Sequence, residues 1–156
     1  GPDLGFRDGD RVRPGQPLGV AHRLVPEATF LEADPAAYAT AFEAALEVLA
    51  AFTPSIEGEI DSAAPAFGRA LLGIEGLDRL WGDEATLTAR ARTAVAALLP
   101  AAPRAGIGNT RFGAGVAASM AHETTSLVAI PPGGAAEEAA FLAPLPIRLL
   151  PAPELE

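Results

Sequence analysis

The sequence predicts an α+β fold in which helices lie on one face of a small sheet, and three observations lead there. Apolar residues recur at helical spacing through two long stretches, one opening at Asp34-Pro35 and one at Asp83. Short runs able to form strands stand between and after them, and they need not be parallel. Alanine is frequent throughout, which suits helices packed closely on a sheet and argues against disorder.

In order, Gly1 to Gly15 carries the turn signals Asp8-Gly9 and Pro14-Gly15 and reads as loop or short hairpin. Leu18, Ala21, Leu24 and Val25 make a short apolar helical stripe that Pro26 ends. Thr29-Phe30-Leu31 reads as a brief strand. Pro35 fits a first helical position after Asp34, and Tyr38, Phe42, Ala45, Leu49 and Phe52 then mark one helical face up to Thr53-Pro54. Ser55–Ile60 and Phe67–Ile74 are candidate strands joined by a turn over Asp61–Pro65. Leu77–Trp81 is a short helical piece between Gly76 and Gly82. Asp83 caps a second long helix whose inner face is Leu87, Ala91, Val95 and Leu98, with Arg90 and Arg92 off that face. Beyond Pro100 the reading is strand Arg104–Gly108, helix Arg111–Ala121, strand Ser126–Ile130 and helix Ala135–Leu142.

The 156 residues fit one compact domain, or one domain plus part of a second, and exclude a multidomain machine. With no cysteine, disulfides and thiolate metal sites are excluded, and a reducing, cytoplasmic setting is expected. No run of 18 apolar residues is present to span a bilayer, so no membrane role is expected. The formal net charge is -9 and all 11 basic residues are Arg. That mean field opposes a polyanion, so any grip on DNA through these residues is weak and local.

Several segments, taken in order, resemble the Y-family of translesion DNA polymerases. Arg13-Pro14-Gly15-Gln16-Pro17-Leu18 and Arg23-Leu24-Val25-Pro26 are similar to the "G-M-P-L" and "R-L-C-P" of its fingers. Asp34-Pro35-Ala36-Ala37-Tyr38 resembles the start of the first palm helix, and Phe52-Thr53-Pro54-Ser55-Ile56-Glu57 the "F-S-P-x-V-E" that follows. The stretch from Gly106-Ile107-Gly108-Asn109-Thr110-Arg111 to Ala121 resembles the last palm strand and helix, and Ile130-Pro131-Pro132-Gly133 with Glu138–Pro146 the entry to the thumb. The resemblance implies a ferredoxin-like palm sheet, with a fingers remnant over 1–34, palm over 35–121 and the beginning of the thumb over 122–156. It further implies that the first palm strand, with the first catalytic Asp, lies before Gly1, and most of the thumb after Glu156.

Active relatives hold Mg2+ on carboxylates to activate the primer hydroxyl and bind the triphosphate. The resemblance places the central-strand Asp-Glu pair on Gly68 and Arg69, and the later Asp on Gly73. A glycine cannot ligate Mg2+ and an arginine repels it. A second register, counted from Pro54, puts the pair near Asp61-Ser62 and still loses the Glu. The fingers Tyr and Arg that meet the incoming phosphates fall on Gly5 and Asp8, and the palm-helix Lys falls on Gly115. Arg111 keeps the charge of the "N-K" position. The expectation is therefore an inactive, ImuB-like accessory member without catalytic, nucleotide-binding or metal residues and without a cofactor. Family partners implied are a sliding clamp, a RecA-like companion and an error-prone polymerase, in the cytoplasm at the nucleoid. Two alternatives stand beside it: an active translesion polymerase read in the wrong register, and an unrelated α+β interaction domain.

Other candidates carry less. Gly106-Ile107-Gly108-Asn109 lacks the full glycine pattern and the Lys of a phosphate loop, and a tight strand-to-helix turn is the better reading. His22 and His122 each lack a second ligand at helical spacing, Asp61, Glu75, Asp78 and Asp83 read as solvated loop acids, and Ser62 and Ser119 have no base partner. Arg104 and Arg111 are candidate DNA-backbone contacts, with Arg90 and Arg92 extending a basic strip.

Overall fold

The computed structural model describes residues 12, 15–99, 103–122 and 124–146. The chain divides into two compact units, Gly1–Asp34 and Pro35–Glu156.

In the first unit, α1 (Leu18–Leu24) starts after Pro17, whose carbonyl accepts from Val20 N at 2.9 Å, and Val25 N closes it on Ala21 O at 3.0 Å. Pro26 cannot donate and so cannot continue the helix. The strand expected at Thr29–Leu31 does not form. Its β-prone residues have no neighbouring strand among the described residues of the unit, and Leu31 is exposed.

The second unit runs α2 (Pro35–Ala50), β1 (Ile56–Gly58), β2 (Ala70–Leu72), α3 (Asp78–Trp81), α4 (Glu84–Ala96), β3 (Ala105–Ile107), α5 (Arg111–Met120), β4 (Leu127–Ala129) and α6 (Ala135–Leu142). Helix α2 packs on α4 and β1, and α5 packs on β3 and β4. Small residues permit this: Ala45 and Ala91 are buried on α2 and α4, and the Leu46 side chain lies over Gly58 where a Cβ would approach within 2.7 Å. Leu87, Val95, Ile107, Val116, Ala117 and Ile130 complete the core. Leu98, expected on the inner face of α4, is 48% exposed because the helix ends two residues earlier at Ala96.

The α+β class holds, but the described strands form two ladders and not one continuous sheet. β1 and β2 pair antiparallel with Glu57 opposite Leu71, and β3 and β4 pair parallel with Gly106 opposite Val128. The parallel pair needs a crossover, and α5 supplies it, which is why α5 lies against both strands. Each strand is three residues long, and a cleft opens between the ladders.

Candidate functional site: the cleft between the two ladders

The cleft has a volume of about 590 Å³. One wall is Ser55, Glu57 and the run Leu71–Gly76, and the other is Ile107–Arg111 with Ala114, Ile130 and Pro132; Leu87 reaches it from α4.

Thr53 ties the first wall together. Its side chain is almost fully buried, its hydroxyl donates to Gly73 O at 2.6 Å, and it accepts from Ser55 N at 3.1 Å. Gly73 N donates in turn to Ser55 O at 2.8 Å, continuing the ladder one pair past β2. A Cβ at Gly73 would meet Ser55 Oγ at 2.7 Å, so a carboxylate at this position requires Ser55 to move.

The second wall explains Gly-Ile-Gly-Asn. A Cβ at Gly106 would strike the backbone of Ala114 and Ala118, and one at Gly108 would come within 2.5 Å of Ala114 N. These glycines let β3 and its exit loop lie directly on the backbone of α5. Two amides at the start of α5, those of Thr110 and Gly113, are taken internally. Thr110, its N-cap, accepts from Gly113 N at 3.0 Å, and the buried carboxylate of Glu138 on α6 accepts from Thr110 N at 3.1 Å and from the Thr110 hydroxyl. Gly113 leaves room for that carboxylate, since a Cβ there would meet it at 2.5 Å. Asn109 Nδ2 adds a bond to Gly134 O at 3.2 Å. The segment is a strand-to-helix turn, and a protein carboxylate sits where a phosphate loop would hold its ligand.

Arg111, the first residue of α5, faces Glu57 at the centre of β1. Its Nη1 donates to Oε2 at 2.6 Å and its Nη2 to Oε1 at 2.5 Å, a bidentate pair joining the two ladders. Arg104 stands at the other end of α5, where its Nη1 lies 3.4 Å from Ala121 O, and Arg92 Nε donates to Pro103 O at 2.9 Å. A ten-residue helix is about 15 Å long, so Arg104 and Arg111 do not form one strip. Apart from Arg111, the charged residues lining the cleft are Glu57, Glu75, Asp78 and Glu84, which leaves its field negative.

Of the remaining predicted positions, Gly73 lines the cleft, whereas Gly68 and Arg69 lie in the exposed turn before β2, Gly68 with φ +77°. Asp61, the carboxylate of the second register, is exposed and accepts from Ala63 N at 2.9 Å. Gly115 is on the exposed side of α5 with open space about it. Gly5 and Asp8 lie outside the described residues. Among the described residues no group of three or more His, Cys, Asp or Glu is placed to hold a metal ion. The lining does not supply the acids of a paired Mg2+ site at the expected positions: Gly73 carries no side-chain oxygen and its carbonyl accepts from Thr53, and Glu57 is paired with Arg111. His22 makes an edge contact with Phe30 at 5.7 Å, His122 Nδ1 is 3.0 Å from Thr124 Oγ1, and Ser119 donates to Val116 O, so none of them enters the cleft. No described helix is long and apolar enough to cross a membrane.

Two residues that organise the site were not singled out from the sequence. Glu57 stands inside the "F-T-P-S-I-E" segment but shows its role only through a partner 54 residues away. Glu138 reads as one of two adjacent acids at the start of a helix, and its partner Thr110 is 28 residues distant.

Comparison with known proteins agrees with the order of segments. The pattern of the impB/mucB/samB family matches residues 8–119. A protein named DNA polymerase IV from Dehalococcoides mccartyi strain BAV1 is 30% identical over 140 residues, covering 90% of this chain and 33% of the relative. Protein ImuB from Caulobacter vibrioides is 34% identical over 138 residues, covering 88% of this chain and 27% of the relative. The chain thus spans about a quarter to a third of the length of these curated relatives. No solved structure matches it.

Proposed function

The chain belongs to the impB/mucB/samB family, the Y-family of polymerases, and on that premise we propose that it is a non-catalytic member serving as an accessory or bridging part in translesion synthesis and damage-induced mutagenesis. The observation that carries the reading is Gly68, Arg69 and Gly73 standing where the family resemblance expects metal-binding acids. Phosphoryl transfer depends almost wholly on placed positive charge around the transferring group. Here the cleft wall at Gly73 has no ligating side chain, the lining charge is mostly negative, and two amides at the start of α5, those of Thr110 and Gly113, already bond Glu138 and the Thr110 hydroxyl. Gly115, Gly5 and Asp8 supply no cation for a triphosphate. The fold is retained while the chemistry is lost, which fits a role in assembly.

Binding partners follow from the family: DNA, weakly through this part of the protein, together with a sliding clamp, a RecA-like companion and an error-prone polymerase at the nucleoid. The likeness to Protein ImuB supports this direction, and the likeness to a DNA polymerase IV defines the competing enzymatic reading. Primer extension by the intact protein with Mg2+ or Mn2+ decides between them. Lack of incorporation under conditions where an active relative extends the primer supports the proposal, and incorporation rejects it.

A further inference from the structure

We infer that Glu57 is a built-in competitor for Arg111, holding the guanidinium fork that a phosphate would otherwise take, so that phosphate engages this corner of the cleft by exchange with Glu57. This rests on reading Arg111 as a backbone-phosphate contact and is independent of whether the protein is catalytic.

The geometry is that of the ligand it would replace. Both terminal nitrogens of Arg111 donate to separate oxygens of one carboxylate, at 2.6 and 2.5 Å, and the same fork grips two phosphate oxygens. The two side chains are 71% and 55% exposed, so the pair lies in water. An exposed pair holds its partners by at most about fivefold, which is weak enough to be exchanged. A buried pair would be locked. The fold imposes the contact, because Glu57 is fixed between Ile56 and Gly58 in the β1–β2 ladder and Arg111 is fixed as the first residue of α5.

Among the residues lining the cleft, Arg111 is the one that carries positive charge. Of the nearby amides, Thr110 N is committed to Glu138 and Gly113 N to the Thr110 hydroxyl. Glu75, Asp78 and Glu84 line the same cleft, so a phosphate arriving while Glu57 is charged meets a surplus of negative charge. Neutralising Glu57 removes one repelling group and frees the fork in a single change.

The test is fluorescence anisotropy of a labelled oligodeoxythymidylate with the full chain at low salt, comparing wild type, Glu57→Gln, Arg111→Gln and the double variant. Glu57→Gln is expected to bind roughly threefold to fivefold more tightly, in line with the worth of an exposed pair. Its salt dependence should steepen by about 0.7 in log–log slope, one added single-strand phosphate contact. In the Arg111→Gln background the gain should vanish. Glu57→Asp, which keeps the charge but shortens the fork, should fall between wild type and Glu57→Gln and guards against an effect of misfolding. Deoxyadenosine triphosphate as a second probe separates the sources of phosphate. A gain seen with the oligonucleotide assigns the DNA backbone, and the same pattern with the triphosphate alone assigns a free nucleotide; both support exchange. Equal affinity of Glu57→Gln and wild type for both probes overturns the inference, as does a gain that persists without Arg111.

Discussion

Replacing Glu138 by Ala should be among the more damaging single changes on the surface of the α5–α6 contact. The side chain is 6% exposed and accepts two hydrogen bonds from Thr110, whose hydroxyl in turn accepts from Gly113 N. Truncation leaves the Thr110 amide and hydroxyl without their acceptor and removes an anion from the start of α5. Hydrogen bonds to a charged group are worth about 1.5–3 kcal/mol and the helix-end charge about 0.5–1 kcal/mol, giving a loss of roughly 2–4 kcal/mol. For a chain of this size that lowers Tm by about 5–15 °C. Glu138→Gln keeps one acceptor oxygen and should lose about 1 kcal/mol by the same reasoning. Urea and thermal denaturation of both variants, followed by far-ultraviolet circular dichroism, give the comparison. A loss below about 0.5 kcal/mol for Glu138→Ala, the range of an ordinary surface change, would refute the assignment of Glu138 as the anion that caps α5.

Three further outcomes follow from single contacts. Thr53→Val strips the bonds to Gly73 O and Ser55 N from a nearly fully buried site and should cost about 2–3 kcal/mol in chemical denaturation. Gly115→Ala, on the exposed face of α5 with open space around it, should stabilise by about 1 kcal/mol, seen as a rise in Tm of roughly 2–4 °C. Asp83 caps α4, and Thr86, through its side chain first and its amide second, holds the Asp83 carboxyl below the ordinary carboxylate range. Its folded pKa is depressed, so the stability it adds is present above the unfolded value and is lost as pH falls through the folded one. Asp83→Asn should therefore flatten the fall in stability below about pH 4 measured by urea titration.

Local signals made much of the fold legible. Asp83 is a cap residue followed by helical periodicity, and α4 begins where that signal stands. The buried stripe Leu87, Ala91, Val95 follows from a period of 3.6. Thr29–Leu31 shows the limit, because strand propensity without a neighbouring strand among the described residues does not by itself make a strand. Pairing between strands is non-local, and the two separate ladders were for that reason not visible in the pattern of short β-prone runs. The candidate site divides the same way. Gly73 and Arg111 were accessible by position in recognisable segments, and both line the cleft. Glu57 and Glu138 act on partners far along the chain, and no spacing rule connects them. The role of Gly106 and Gly108 likewise appears only when β3 is laid on α5.

The central claim is loss of catalysis on a retained polymerase fold, and primer extension by the intact protein tests it most directly. With a primed template, all four deoxynucleoside triphosphates and either Mg2+ or Mn2+, the account predicts no extension beyond the unprimed background, while an active family member extends the same primer. Template-directed incorporation that disappears on chelation of the metal would contradict it.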